Sequence, residues 1–293
     1  MKIISWNTYL APTMPNRFIR KKYVIEKIKE WMKLDIDIIS LQELNDFTLG
    51  LFGYLYFLLK LYKYCNIFFQ RFFDLLFIIE GILFPLFYHN NSKEIEEFVE
   101  ANNYYLIKSD KKNSGLNGGL VVISKHKSID YISLYLPTDL IHIPNILFIK
   151  YDNFIFINNH FIPNLPNYTF LYKIVNMLNY IFCINVKKKQ IEGINMLNTF
   201  TLLKYNDIYV VGDLNIRKKM DLDLYNYFID KTNLIDSIDY ICTEHHLNYY
   251  DGEKNHEEDQ IDYILSNKDP LLSGIRLEDT IHISDHYPIL AEY

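Results

Sequence analysis

Cysteine is scarce in this chain: Cys65, Cys183 and Cys242 are the three among 293 residues. They are odd in number and far apart. That excludes a disulfide framework and a zinc spacing, and it suits a reducing compartment. Also absent is a serine or cysteine nucleophile in a recognisable strand-to-helix elbow. A basic stripe is missing too. Acidic residues outnumber basic ones 36 to 30, giving a formal net charge of −6, whereas proteins that track a nucleic-acid backbone usually cluster Lys and Arg. Two short basic runs, Lys187-Lys188-Lys189 and Arg217-Lys218-Lys219, read as solvated faces. Because the second follows Asn215, holding a phosphate or anionic headgroup stays open for it. The apolar runs do not give a clean span of the roughly 18 residues that a membrane-crossing helix needs. A secretory signal is not evident either, since the apolar stretch after Lys2 is short and runs into Trp6-Asn7. The expected location is intracellular and cytoplasmic, with peripheral membrane attachment as an option. There is no internal repeat and no low-complexity linker.

What the chain does contain is a set of four spaced motifs, each at the end of a short apolar run. Ile3-Ile4-Ser5 leads to Trp6-Asn7. Ile36 to Ser40 leads to Leu41-Gln42-Glu43. Ile208 to Val211 leads to Gly212-Asp213-Leu214-Asn215. Ser284-Asp285-His286 stands near the end. Polar groups at the ends of buried strands converge on one rim of a sheet, where sites are built. The inventory is carboxylates, amides and imidazoles, a set that suits a hard divalent cation such as magnesium, with manganese as a substitute.

The periodicities place further elements. Arg17 to Lys33 carry apolar residues at helical spacing (Val24, Ile25, Ile28, Trp31, Met32), so the chain begins strand, helix, strand. A charged helix is expected over 93–100, a strand over 120–124, and an antiparallel pair over 146–150 and 154–158, with His160 following. A long helical pattern covers about 167–204. Strands follow over 208–212, 261–265 and 287–292. Apolar residues make up 49% of the chain, enough for a substantial core. One domain is expected over 1–293, with a lipophilic, aromatic-rich insertion at about 45–92. Within it, 47–88 has three readings: a buried helix pair, a membrane-docking element with aromatic and basic anchors, or an inserted hairpin.

The ordered set Asn7, Glu43, His160, Asp213 with Asn215, Asp262, and Asp285 with His286 resembles the endonuclease/exonuclease/phosphatase superfamily. The likeness runs over almost the whole chain outside the insertion. It implies an α+β fold of the deoxyribonuclease I type: a four-layer α/β/β/α sandwich of two mixed β-sheets. Within that superfamily the sequence is most similar to neutral sphingomyelinases, at Asn117 to Lys125, at Asn158-Asn159-His160 and at Ser284 to Ile289. It departs from phosphoinositide 5-phosphatases, keeping Arg217 but placing Ile216 where they have Tyr.

Each position then acquires an expected role. Glu43 is the principal metal-ligand candidate, since a carboxylate ending a buried strand needs a cation or donor to meet it. Asn7 would help hold the metal or a phosphate oxygen. Asp213 and Asn215, one residue apart, share a face on extended backbone. The resemblance implies that Asp213 orients the attacking water or binds a second metal, and that Asn215 holds the phosphate. His286 is the general-base candidate, oriented by Asp262. Asp285 is the alternative metal ligand. His160 would stabilise the transition state, contacting the phosphate, or assist the leaving group. The expected activity is a magnesium-dependent phosphodiesterase, sphingomyelinase-like, acting at a phospholipid membrane surface. The alternatives are a nuclease or DNA-repair endonuclease acting on nucleic acid, and a non-catalytic membrane-binding scaffold. No protein partner is implied.

Overall fold

A computed structural model describes residues 1–8, 10, 17–44, 93–109, 119–134, 146–161, 184–197, 207–238, 243, 259–277 and 283–293. The expected insertion at 45–92, most of the 167–204 pattern and the His245-His246 pair lie outside the described residues. Two six-stranded mixed sheets form the centre. In the first, the order is β11 (Leu272–Arg276), β12 (Ile289–Glu292), β1 (Lys2–Asn7), β2 (Ile38–Gln42), β4 (Val121–Ser124) and β3 (Tyr105–Lys108). In the second it is β5 (Asp130–Leu134), β6 (Ile146–Lys150), β7 (Phe154–His160), β8 (Asp207–Asp213), β10 (Asp262–Ser266) and β9 (Ile235–Asp236).

Strict alternation of side chains along the strands sorts the core into three layers. Ile3, Ile38, Val122, Phe156, Tyr209, Val211 and Ile264 point inward and fill the space between the sheets. Ile4, Trp6, Ile39 and Leu41 point outward from the first sheet. They pack on α1 (Arg17–Lys33) through Val24, Ile28 and Trp31, and on α2 (Lys93–Ala101) through Ile95 and Val99. Trp6 and Trp31 meet edge-to-face with centroids 5.2 Å apart, a geometry that adds to their large burial. Ile155, Ile157, Ile208 and Val210 leave the second sheet on its far side. They meet Ile191 and Ile194 of α3 (residues 184–197) and Leu224 and Phe228 of α4 (Leu222–Thr232). The layers therefore run helix, sheet, sheet, helix, as expected.

Two pairings are parallel, β1 with β2 and β7 with β8, and both aim their C-terminal ends at the same rim. β10 runs antiparallel to β8 and contributes its N-terminal end there. Four strands, β3, β5, β9 and β11, are additions to the sequence reading. β5 is exposed along most of its length and β9 is two residues long; an edge strand with a wet face carries little apolar alternation to read.

Candidate active site

The interior between the sheets changes character along its length. At one end it is mainly apolar, with Ser124 and Ser266 as the small polar exceptions among the inward strand positions. Toward the rim the inward positions become Ser5, Ser40, Gln42 and Asn158, all fully buried, and finally Asn7, His160, Asp213 and Asp262. On each strand the polar residues keep the parity of the apolar ones before them, so Tyr209, Val211 and Asp213 share a face. The same continuity of register puts His160 opposite Asp213 across β7 and β8, and Asp262 opposite Asp213 across β10 and β8.

Gly212 explains how closely these strands meet. Its φ is +134°, and a Cβ there would lie 2.0 Å from the Asn159 carbonyl oxygen. Only glycine permits that approach and that backbone conformation. Two more site residues hold left-handed backbone, Glu43 at φ 55° and Asn215 at φ 49°. Such conformations cost about 1–2 kcal/mol per residue, Asn being tolerant, and concentrate at functional sites.

The side chains then meet across the gap. Asn7 Nδ2 donates to Asp213 Oδ2 at 3.0 Å and reaches Glu43 Oε1 at 3.4 Å. His160 Nε2 lies 3.5 Å from Glu43 Oε1 and 3.6 Å from Asp213 Oδ2. His286 Nδ1 is 2.8 Å from Asp262 Oδ2, while its Nε2 is 3.9 Å from both Asp213 Oδ2 and Asp285 Oδ1. Asn215 is anchored at several points: its N–H donates to Asp213 Oδ1 at 2.8 Å and its side-chain amide to the Phe161 carbonyl at 3.0 Å. The eight residues expected from the sequence thus lie together in one constellation, held by hydrogen bonds or with charged atoms within 3.9 Å of one another. Asp285 is the most open of the acids, with a side chain 20% exposed.

Supporting contacts fix this arrangement. The His286 carbonyl accepts from Trp6 Nε1 at 3.1 Å, its N–H donates to Ser284 Oγ at 3.1 Å, and Ser284 Oγ–H donates to the Asn7 carbonyl at 2.7 Å. Thr243 Oγ1 accepts from the Ile261 and Asp262 amides. Between the sheets, Gln42 Nε2 donates to Asn158 Oδ1 at 2.8 Å. Asn158 Nδ2 donates to the Leu41 and Val121 carbonyls at 3.0 and 3.2 Å. This bridge ties the residue before Glu43 to the strand that ends in His160. Neither Gln42 nor Asn158 had an assigned part in the site. Their inward parity with Ile38, Ser40 and Phe156 was the signal available.

Burial disfavours the His286 imidazolium, but Asp262, Asp285 and Asp213 together outweigh it and hold its pKa well above the usual histidine range. Burial raises the Asp262 carboxyl, with the imidazolium working against that rise. Among the described residues Asp213, Asp262 and His286 bring ligand atoms within 4.8 Å of one another. Asp262 is already engaged with His286 Nδ1, so this trio is a carboxylate-oriented imidazole beside a second acid. The oxygen-rich side lies with Glu43, Asp213 and Asn7. Several carboxylates in one buried pocket repel each other, and a cation offsets that repulsion. A hard divalent ion therefore fits the donor set. Asn7 turns its Nδ2 toward the acids, so joining them around a cation would require the amide to turn and present Oδ1 instead.

One expectation is corrected. The two basic runs are not simply solvated faces. Lys187 is fully buried and Lys218 is 5% exposed. Lys187 Nζ donates to the Asn215 carbonyl. Lys218 pairs with Asp236 at 2.9 Å and lies over the Tyr225 ring. A fold that has buried acceptors and aromatic faces at these positions draws the ammonium groups inward, along with their apolar stems. Lys188 and Lys189 remain exposed.

Comparison with protein-family models and with curated sequences gives no match. Solved structures do match over the entire chain. A 3′ phosphatase from Neisseria bound to a product DNA hairpin aligns with 100% of this chain and 99% of its own, at TM-score 0.62 and 13% identity. An AP endonuclease from Archaeoglobus fulgidus aligns over 100% and 99%, at TM-score 0.58 and 14% identity. An endonuclease/exonuclease/phosphatase family protein from Leptotrichia buccalis aligns over 100% and 98%, at TM-score 0.58 and 15% identity. The two mixed sheets, their helical flanks and these alignments together establish that this chain has the deoxyribonuclease I-like fold of the endonuclease/exonuclease/phosphatase proteins.

Proposed function

We propose that the chain hydrolyses phosphoric diesters with a divalent cation, magnesium or manganese, and that nucleic acid is its substrate. The observation that carries the chemistry is the His286–Asp262 pair at 2.8 Å facing Asp213 across the gap. With Nδ1 bonded to Asp262, the basic nitrogen is Nε2. Its 3.9 Å separation from Asp213 Oδ2 is too long for a direct hydrogen bond but suits two atoms sharing one water. In its neutral form His286 takes the proton from that water, Asp262 stabilises the imidazolium that results, and Asp213 orients the attack. Asn215 and Asn7 hold phosphate oxygens, and His160 meets the charge developing on the phosphate or leaving oxygen. Glu43, with Asn7 and either Asp213 or Asp285, would hold the cation, which supplies Lewis-acid stabilisation of that charge.

Nucleic acid is favoured by the kinds of protein that share the fold, one of them bound to a DNA hairpin. The second reading, a phospholipid whose phosphorylated headgroup is released, rests on the sphingomyelinase-like stretches at Asn117 to Lys125 and Ser284 to Ile289 and on the aromatic composition of 47–88. Among the described residues no helix is long and apolar enough to cross a membrane.

Purified protein with magnesium or manganese is offered plasmid DNA, an abasic-site duplex and, separately, sphingomyelin vesicles, with Glu43→Gln and His286→Ala as controls. Cation-dependent nicking or abasic-site cleavage, lost in both variants, is the expected result. Headgroup release without DNA cleavage would move the substrate to lipid. Silence on all three, with the fold intact, would refute the hydrolase reading and favour a non-catalytic scaffold.

A further inference from the structure

Lysine is almost never fully buried without a specific reason. Lys187 is, and its position in the fold supplies one. It projects from α3, whose neighbouring residues Ile191 and Ile194 line the outer core of the second sheet. Its ammonium crosses to the Gly212-Asp213-Leu214-Asn215 turn and donates to the Asn215 carbonyl. Asn215 sits in left-handed backbone. Its N–H is held by Asp213 Oδ1 and its side-chain amide by the Phe161 carbonyl. Lys187 therefore adds a charged constraint on the carbonyl of a turn whose other polar groups are held by the site itself. Hydrogen bonds with an ionised partner are stronger than neutral ones, so the lysine biases the backbone toward the conformation that aims Asp213 and Asn215 together.

We propose that Lys187 is a positioning residue: it holds Asn215 in its left-handed conformation and so presets the Asp213–Asn215 pair for the phosphate. The functional half of this proposal rests on the hydrolase reading above; the structural half does not. The lysine acts through the turn, from behind the Asn215 carbonyl.

The test compares wild-type protein with Lys187→Met, which keeps the stem and loses the charge, Lys187→Arg, which keeps a charged donor, and Lys189→Met on the exposed face of the same helix. The first readout is amide hydrogen exchange of Asn215 relative to Val210 in the centre of β8. Val210 reports global opening, so an acceleration confined to Asn215 marks a local effect at the turn. Removing a charged hydrogen bond is expected to speed Asn215 exchange roughly tenfold to a hundredfold relative to Val210. Arg recovers most of the protection and Lys189→Met changes nothing. The second readout is kcat/KM on bis-p-nitrophenyl phosphate with manganese, per folded molecule, expected to fall by a similar factor in Lys187→Met alone. Asn215 and Val210 accelerating together, or Asn215 protection unchanged, would overturn the proposal by making the lysine a general stabiliser or a bystander. If wild-type protein cleaves no ester, the exchange ratio decides the positioning role by itself, and the two failures stay separate.

Discussion

Replacing Asn158 by leucine tests whether the polar bridge between the sheets sets the geometry of the rim. The two side chains are close in shape, so the substitution mainly removes hydrogen bonding. Three bonds go: Asn158 Nδ2 to the Leu41 carbonyl at 3.0 Å, Nδ2 to the Val121 carbonyl at 3.2 Å, and Gln42 Nε2 to Asn158 Oδ1 at 2.8 Å. At about 1 kcal/mol each they total roughly 3 kcal/mol. Gln42 is then stranded. Its remaining contacts, Ser5 Oγ at 3.5 Å and Ser40 Oγ at 3.4 Å, are at the limit of hydrogen bonding, and its Oε1 is already buried without a hydrogen-bond partner. That adds a further ~1–3 kcal/mol. Burying the leucine side chain returns ~1.5–3 kcal/mol. The net loss is ~1–4.5 kcal/mol, or about 2–7 °C in melting temperature for a chain of this size. Calorimetry and urea unfolding measure it. The double variant Gln42→Leu with Asn158→Leu strands neither partner and is expected to regain much of the loss, a coupling of ~1–3 kcal/mol in a double-mutant cycle. A single-variant loss below about 1 kcal/mol, or two additive losses, would refute the bridge as an energetic link between the sheets.

Three further outcomes follow from the site and the core. Adding manganese at about a hundred times its dissociation constant stabilises wild-type protein by ~2.7 kcal/mol, chelator reverses it, and Glu43→Gln abolishes the gain in a thermal-shift titration; a full cation response in that variant would remove Glu43 from the ligand set. Asp262→Asn withdraws an anion that raises the His286 pKa. The base must be unprotonated to act, so the acidic limb of the kcat/KM profile moves to lower pH, with the plateau reduced ~10²–10⁴-fold; an unmoved limb would count against this pairing. Burial raises the Tyr151 and Tyr293 hydroxyls each to about 12. A raised pKa favours the folded state while the phenol is neutral, so this stabilisation is complete below the unfolded value near 10 and is lost as pH climbs from about 10 to about 12. Urea midpoints that stay flat across that window would contradict it.

The sequence alone determined the elements whose pattern is locally encoded. The helix over 17–33 showed in the spacing of Val24, Ile28 and Trp31, and the central strands showed in apolar runs covered on both faces. Because side chains alternate rigidly along a strand, the parity that carries Tyr209 and Val211 into the core also carries Asp213 to the same face. For that reason Asn7, His160, Asp213 and Asp262 could be placed on one rim from their spacing, whereas the roles expected of them came from the family resemblance. What only the tertiary structure decided were relations between distant segments. The inter-sheet bridge of Gln42 and Asn158 joins residues 116 apart, and the buried Lys187 looked like part of a solvated run until α3 placed it behind Asn215. Edge strands such as β5 escaped because their faces are wet. A charge or an amide takes its meaning from the partner across the gap, and the partner is set by how the sheets stack, which no local spacing records.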